Sequence, residues 1–266
     1  MSNEQDSQGG PAKPTPDKEK AKRELEGAKA EYKELGGWAS FKNGEWFLRL
    51  TRKAFRAYYA NANAEYFKAK YPGMTNDQIA ERLISVSARY AGLYGVVTGA
   101  IVSTDEIVAI VTAGEGGVGL PANVAIAVVG VCAEAICLAR VHLQLVANLA
   151  KLTGVPLDPD DPEDILIILA YAVGGGAAEE AGKLGMKVGR AGAKTLIRKY
   201  ISKEVLESLK SLGRKIGVKI LQRSILKYSV PLVSIVVGGG WNYITTKAVG
   251  KIALKHFKHR LDDRKP

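Results

Sequence analysis

Three acids stand where acids are expensive. Asp105, Glu106 and Glu134 lie inside otherwise apolar stretches of the chain. A carboxylate taken out of water must be paired or must shift its pKa. Acids in such surroundings are therefore candidates for proton or ion handling in an apolar pocket. The same pattern also describes a buried polar network that fixes helix packing, and no nucleophile–base pair can be named from the spacing. Arg140 follows Glu134 by six residues, so a bridge between them needs a second helix. Asn242 is a further polar residue set among apolar ones and must find a partner if buried. Glu179 and Glu180 follow a Gly-Ala run and are candidates to pair with the C-terminal lysines.

The remaining reactive side chains exclude more than they offer. His256 and His259 are three apart on a basic segment with no acid or Cys close by, and His142 sits on a mainly apolar one. Cys132 and Cys137 are five apart, about 140° around a helix, which rules out an intrahelical disulfide. No zinc spacing fits them. Buried free thiols are expected, in keeping with a reducing compartment. Gly114, Gly116 and Gly119 satisfy G-x-G-x-x-G. That motif works only between a strand and a helix N-terminus, whereas the segment here runs on helically past Glu134, and Glu115 would occupy the anion loop. There is no phosphate-loop lysine motif, no G-x-S-x-G and no zinc signature. The expectation is no catalytic residue, no metal and no cofactor.

Charge points to a partner. The chain holds 38 Lys+Arg against 27 Asp+Glu, a net +11. From Ala181 onward the count is 20 against 4, or +16, which leaves 18 against 23, or −5, for the first 180 residues. Such asymmetry favours an anionic partner for the C-terminal third. Lys247, Lys251, Lys255 and Lys258 fall within about 80° on a helical wheel, and Lys215, Lys219 and Arg223 repeat the four-residue spacing. These seven are the candidate anionic-surface residues. Ala248, Ile252, Ala253 and Phe257 lie on other sides of the same helix. Acidic lipid is the expected partner. Nucleic acid is disfavoured, because no reader motif accompanies the basic residues.

The elements that must position these residues read as helices throughout. Residues 1–18 form a polar tail with the composition of disorder and no apolar signal core. A charge-dense, exposed helix follows, stopped by Gly36-Gly37, and it offers a surface for a protein partner as an adaptor would use. Residues 45–71 form one amphipathic helix whose aromatics make a core face. Thr75 with Gln78 forms a capping box for the next helix. Ala91–Ala113, Val118–Leu138, Ile165–Ala178 and Ser229–Val237 are strongly apolar. They are too short or too interrupted by acids to be convincing membrane spans, and they suit the centre of a bundle. Asp161 and Pro162 open the third of them. Gly238–Gly240 reads as a close helix approach or a kink. The fold class is all-α: a single multi-helix bundle over residues 19–262, with central apolar helices and a basic C-terminal helical region.

Two blocks carry a family resemblance. The first is "AGEGGVGLPANVAIAVVGVCAEAICLARVHLQLVANLAKLTGVPLDPDDPEDILIIL", with Ala150, Gly154, Pro156, Asp158, Pro162, Glu163 and Asp164 in its turn. The second is "YSVPLVSIVVGGGWNYITTKAVGKIALKHF", with Pro231, Gly238, Gly239, Asn242, Ile252, Ala253 and Phe257. Together they resemble the EcsC protein family. The resemblance implies a bacterial helical domain associated with membranes, cytoplasmic or peripheral to the inner face, and implies no catalytic residues.

Overall fold

The computed structural model describes residues 17–43, 45–101, 122–158, 164 and 234–262. Seven helices make up this part, and among the described residues there is no strand: the fold is all-α. They are α1 (Lys18–Glu34), α2 (Gly37–Asn43), α3 (Glu45–Asn61), α4 (Ala64–Lys70), α5 (Asn76–Ile101), α6 (Ala122–Thr153) and α7 (Ser234–Asp262).

Local chemistry sets the helix ends. Asp17 caps α1, its carboxylate accepting from the backbone N–H of Glu19 at 2.9 Å and Lys20 at 3.3 Å. Gly36 (φ 99°) and Gly37 (φ 58°) then turn the chain through the left-handed region that stops the helix. The capping box at α5 forms as read from the sequence: Thr75 N–H donates to Gln78 Oε1 at 2.8 Å, and Gln78 N–H donates to Thr75 Oγ1 at 3.3 Å. Gly154 (φ 76°) closes α6, with Val155 N–H bonded to Ala150 O and Gly154 N–H to Lys151 O. That pair of bonds is a Schellman cap.

Two expectations are corrected. The aromatic helix of 45–71 is two helices, because Asn63 leaves the helical region and caps α4, accepting from Glu65 N–H at 2.9 Å. The core face holds over α3, where Trp46, Phe47, Leu50 and Phe55 are buried and Phe41 stacks on Trp46 with ring centroids 4.2 Å apart, but α4 buries no residue and its Tyr66 is 55% exposed. The second correction concerns α1, which is not simply a solvated helix. Ala21, Leu25, Ala28 and Tyr32 form a buried stripe at spacings of four, three and four, packed in the core against α5 and α6. Two of the four are alanines, so the stripe is narrow and the surrounding charges dominate the sequence pattern.

Helix α6 is the axis of the bundle, contacted by α1, α3, α5 and α7. Within it, Val128–Thr153 is long and apolar enough to cross a membrane, and 72% of its most apolar 18-residue window is buried inside the bundle. A helix surrounded by other helices can be apolar on every side. Helix α7 packs chiefly along α5, antiparallel to it. Gly239 meets Gly92 at one end of the contact and Gly250 meets Ile84 at the other. A Cβ on Gly239 would stand 2.6 Å from Val96 Cγ2 and 3.0 Å from the Gly92 carbonyl oxygen. Of the Gly238–Gly240 run, Gly239 thus serves close helix approach, whereas Gly240 faces open space; Gly250 adds a second close contact. Helices α6 and α7 run parallel, since Glu134 meets Asn242 and Leu145 lies beside Gly250.

Candidate functional site

Helix α7 carries the candidate site on two faces. Its inner face joins α6 through a buried polar seam. Asn242 Nδ2 donates to Glu134 Oε1 at 2.7 Å, with both residues buried. One turn further along α7, Thr246 Oγ1 lies 3.0 Å from His142 Nε2, and both residues are fully buried. Around the seam Val249, Ala253, Leu254 and Phe257 are apolar and buried. Two of the polar residues singled out from the sequence are therefore each other's partners. Arg140 is not part of this seam: it turns to α1 and forms an ion pair with Glu31. Lys53 Nζ also reaches Glu31, at 3.2 Å, and Glu34, at 2.9 Å. The Lys53 ammonium lowers the Glu34 pKa by its hydrogen bond, and the Glu34 and Glu31 carboxylates raise that of Lys53.

The thiols are structural in their surroundings. Cys132 and Cys137 are free and buried. Burial pushes the Cys132 thiol up and carries Cys137 up to about 12. Cys137 Sγ lies 3.7 Å from the Glu24 carbonyl, and the Glu24 carboxylate accepts from the Tyr94 hydroxyl. Burial and that bond raise the Tyr94 pKa. Among the described residues no three His, Cys, Asp or Glu side chains are grouped to hold a metal.

The outer face of α7 presents the basic stripe. Lys251, Lys255 and Lys258 are exposed, and Lys247 is half-buried over the Tyr243 ring, 5.3 Å from its centroid. Lys258 pairs with Asp77 at the start of α5, at 2.7 Å. Among the described residues no acid pairs with Lys251 or Lys255. Below the stripe, Arg260 Nη1 lies 2.6 Å from Asp164, which also accepts from Asp158 N–H at 2.7 Å. Burial, reinforced by the nearby charges of Arg260 and His259, lowers the His256 pKa.

Of the residues read as lying on other sides of α7 from the lysines, Ala253 and Phe257 are buried, while Ile252 is 38% exposed. Trp241, 45% exposed, and Ile244, 67% exposed, accompany it outward. Sequence reasoning missed this apolar component, although Ile244 precedes Lys251 by seven residues and so shares its side of the helix to within about 20°. It also missed Asp164 as the buried partner of Arg260. Asp105, Glu106, Lys215, Lys219, Arg223, Glu179, Glu180, the Gly114–Gly119 motif and the Asp161 cap lie outside the described residues. No family model, curated protein or solved structure matches this chain.

Proposed function

We propose that this protein is a membrane-associated, lipid-interacting helical protein without catalytic activity, and that α7 brings it to anionic headgroups. The observation that carries this reading is the exposed row Lys251, Lys255 and Lys258, of which only Lys258 is paired with an acid among the described residues. Two like charges four residues apart repel by a few tenths of a kcal/mol. An acidic surface turns that cost into a gain of about 1 kcal/mol for each lysine near it. The resemblance to the EcsC family supports the same reading, as does the +16 charge of the C-terminal third. On this reading the protein lies peripheral to the inner face of a bacterial membrane, with α6 kept as core.

Sedimentation with phosphatidylglycerol–phosphatidylcholine vesicles tests it. Binding at low salt that fades as salt screens the surface, and that falls about tenfold or more in Lys251→Gln/Lys255→Gln, is the expected result. Equal binding to purely zwitterionic vesicles, or none to either kind, removes the proposal.

A further inference from the structure

Attraction between lysines and headgroups needs nothing apolar on the binding face, yet the outer face of α7 carries three large apolar side chains. Five large hydrophobic residues are exposed among those described, and Trp241, Ile244 and Ile252 of α7 are three of them. They fall within about 80° of one another around the helix, on an arc that overlaps the arc of about 60° holding Lys251, Lys255 and Lys258. Along the axis Trp241 and Ile244 lie in the first half of α7, ahead of the lysines in the second, and Ile252 stands between Lys251 and Lys255. Gly240, with nothing within 4 Å of where a Cβ would stand, leaves the backbone beside Trp241 open.

We infer that α7 inserts the Trp241–Ile244–Ile252 edge into the headgroup–acyl boundary of an anionic bilayer and does not merely hover over it. This rests on the membrane reading above and adds to it a depth and an orientation. The chemistry of the face selects the occupant. Lysines beside an apolar edge match the layered polarity of a membrane surface: their aliphatic stems cross the apolar zone and their ammonium groups reach the phosphates. Tryptophan favours this zone because its ring is apolar and its N–H is polar. The inner face of α7 is already occupied by the Gly92–Gly239 contact and the Glu134–Asn242 bond. Helix α7 therefore lies flat, held by the bundle behind it, with its N-terminal half deeper than its C-terminal half.

Quenching by lipids brominated on the acyl chain tests the orientation. Anionic vesicles containing them are expected to quench the tryptophan emission of the wild type and to leave that of Trp241→Phe unchanged, because of the two remaining tryptophans Trp46 is buried in the core and Trp38, on α2, is half-buried against that core. Ile244→Ser/Ile252→Ser changes only exposed positions, and its partitioning into the same vesicles is expected to fall about a hundredfold, the lower end of the scale of withdrawing two aliphatic side chains from an apolar phase. Salt should weaken wild-type binding and leave a residue that this double variant lacks. Binding that salt abolishes completely, with no bromolipid quenching and equal affinity of the double variant, overturns the insertion and leaves the electrostatic reading standing. Absence of vesicle binding overturns both. Concentration-dependent self-association that Ile244→Ser/Ile252→Ser removes, without lipid quenching, assigns the face to a second copy of the chain and equally overturns insertion.

Discussion

Asn242 on α7 and Glu134 on α6 meet 2.7 Å apart in the core, with the amide donating to the carboxyl oxygen. The contact ties two parallel helices that are far apart in sequence, and it fixes their register more sharply than apolar packing alone does. Sliding α7 by one residue would rotate Asn242 by about 100° and leave a buried acid facing aliphatic side chains.

The first prediction is energetic coupling across that contact. Asn242→Ala removes a buried donor and is expected to cost about 1–3 kcal/mol. Glu134→Gln keeps an acceptor oxygen for Asn242 and should cost less than Glu134→Ala. A double-mutant cycle on Asn242→Ala and Glu134→Ala, read by denaturant unfolding, should return a coupling energy of about 0.5–3 kcal/mol. Strictly additive effects would show that neither residue leans on the other.

Neighbouring glycines on α7 should respond in opposite directions. At Gly239 an added Cβ meets Val96 and the Gly92 carbonyl, so Gly239→Ala must push α5 and α7 apart. A loss of about 1–3 kcal/mol is expected, the usual cost of overpacking. At Gly240 nothing lies within 4 Å of the new methyl group. Gly240→Ala should instead stabilise the helix by about 0.5–1 kcal/mol, because it removes backbone freedom from the unfolded chain. Thermal melts of the two variants side by side give the comparison, and equal shifts of the same sign would contradict the close approach.

Much of this architecture is legible in the sequence because it depends on local or short-period signals. The Thr75–Gln78 box, the Gly36-Gly37 stop and the aromatic face of α3 each span a few residues, and each is present. Asn242 could be marked as a buried polar residue in need of a partner, but its pairing with Glu134 depends on how α6 and α7 are docked, which no period encodes. Arg140 shows the same limit. Its sequence proximity to Glu134 points the wrong way, because the nearest acid in space is Glu31 on α1. The stripe of Ala21 and Ala28 is too small in volume to outweigh the charges beside it. Ile252 is apolar yet 38% exposed, because α5 and α6 pack on the other face of α7.

Acid should destabilise the fold through His256. Its ordinary value is 6.5, and burial, then Arg260, then His259, lower it in the folded state, while Asp164 acts in the opposite sense. Below 6.5 the unfolded chain therefore binds more protons than the folded one, so stability falls as pH drops through and below that value. Above it both states hold a neutral ring, and this contribution to the slope vanishes. His256→Gln should flatten the difference in unfolding free energy between neutral and mildly acidic pH. An unchanged pH profile in that variant would mean that other groups govern the acid limb.

The two thiols should report on opening of the core. The thiolate is the species that attacks alkylating reagents, and burial raises both thiols well away from neutrality, Cys137 to about 12. Both side chains are also sterically enclosed in α6, among the residues that α1, α5 and α7 cover. At neutral pH iodoacetamide is therefore expected to leave the native protein unlabelled and to modify both cysteines once denaturant unfolds it, as counted by intact mass. Labelling in intermediate denaturant should follow the fraction unfolded. If Asn242→Ala or Gly239→Ala loosens the docking of α7, the same reagent should find Cys132 and Cys137 sooner in those variants. The rise should scale with their measured loss of stability when reclosing is fast relative to alkylation. Prompt modification of both thiols in the untreated wild type would contradict their enclosure in the bundle.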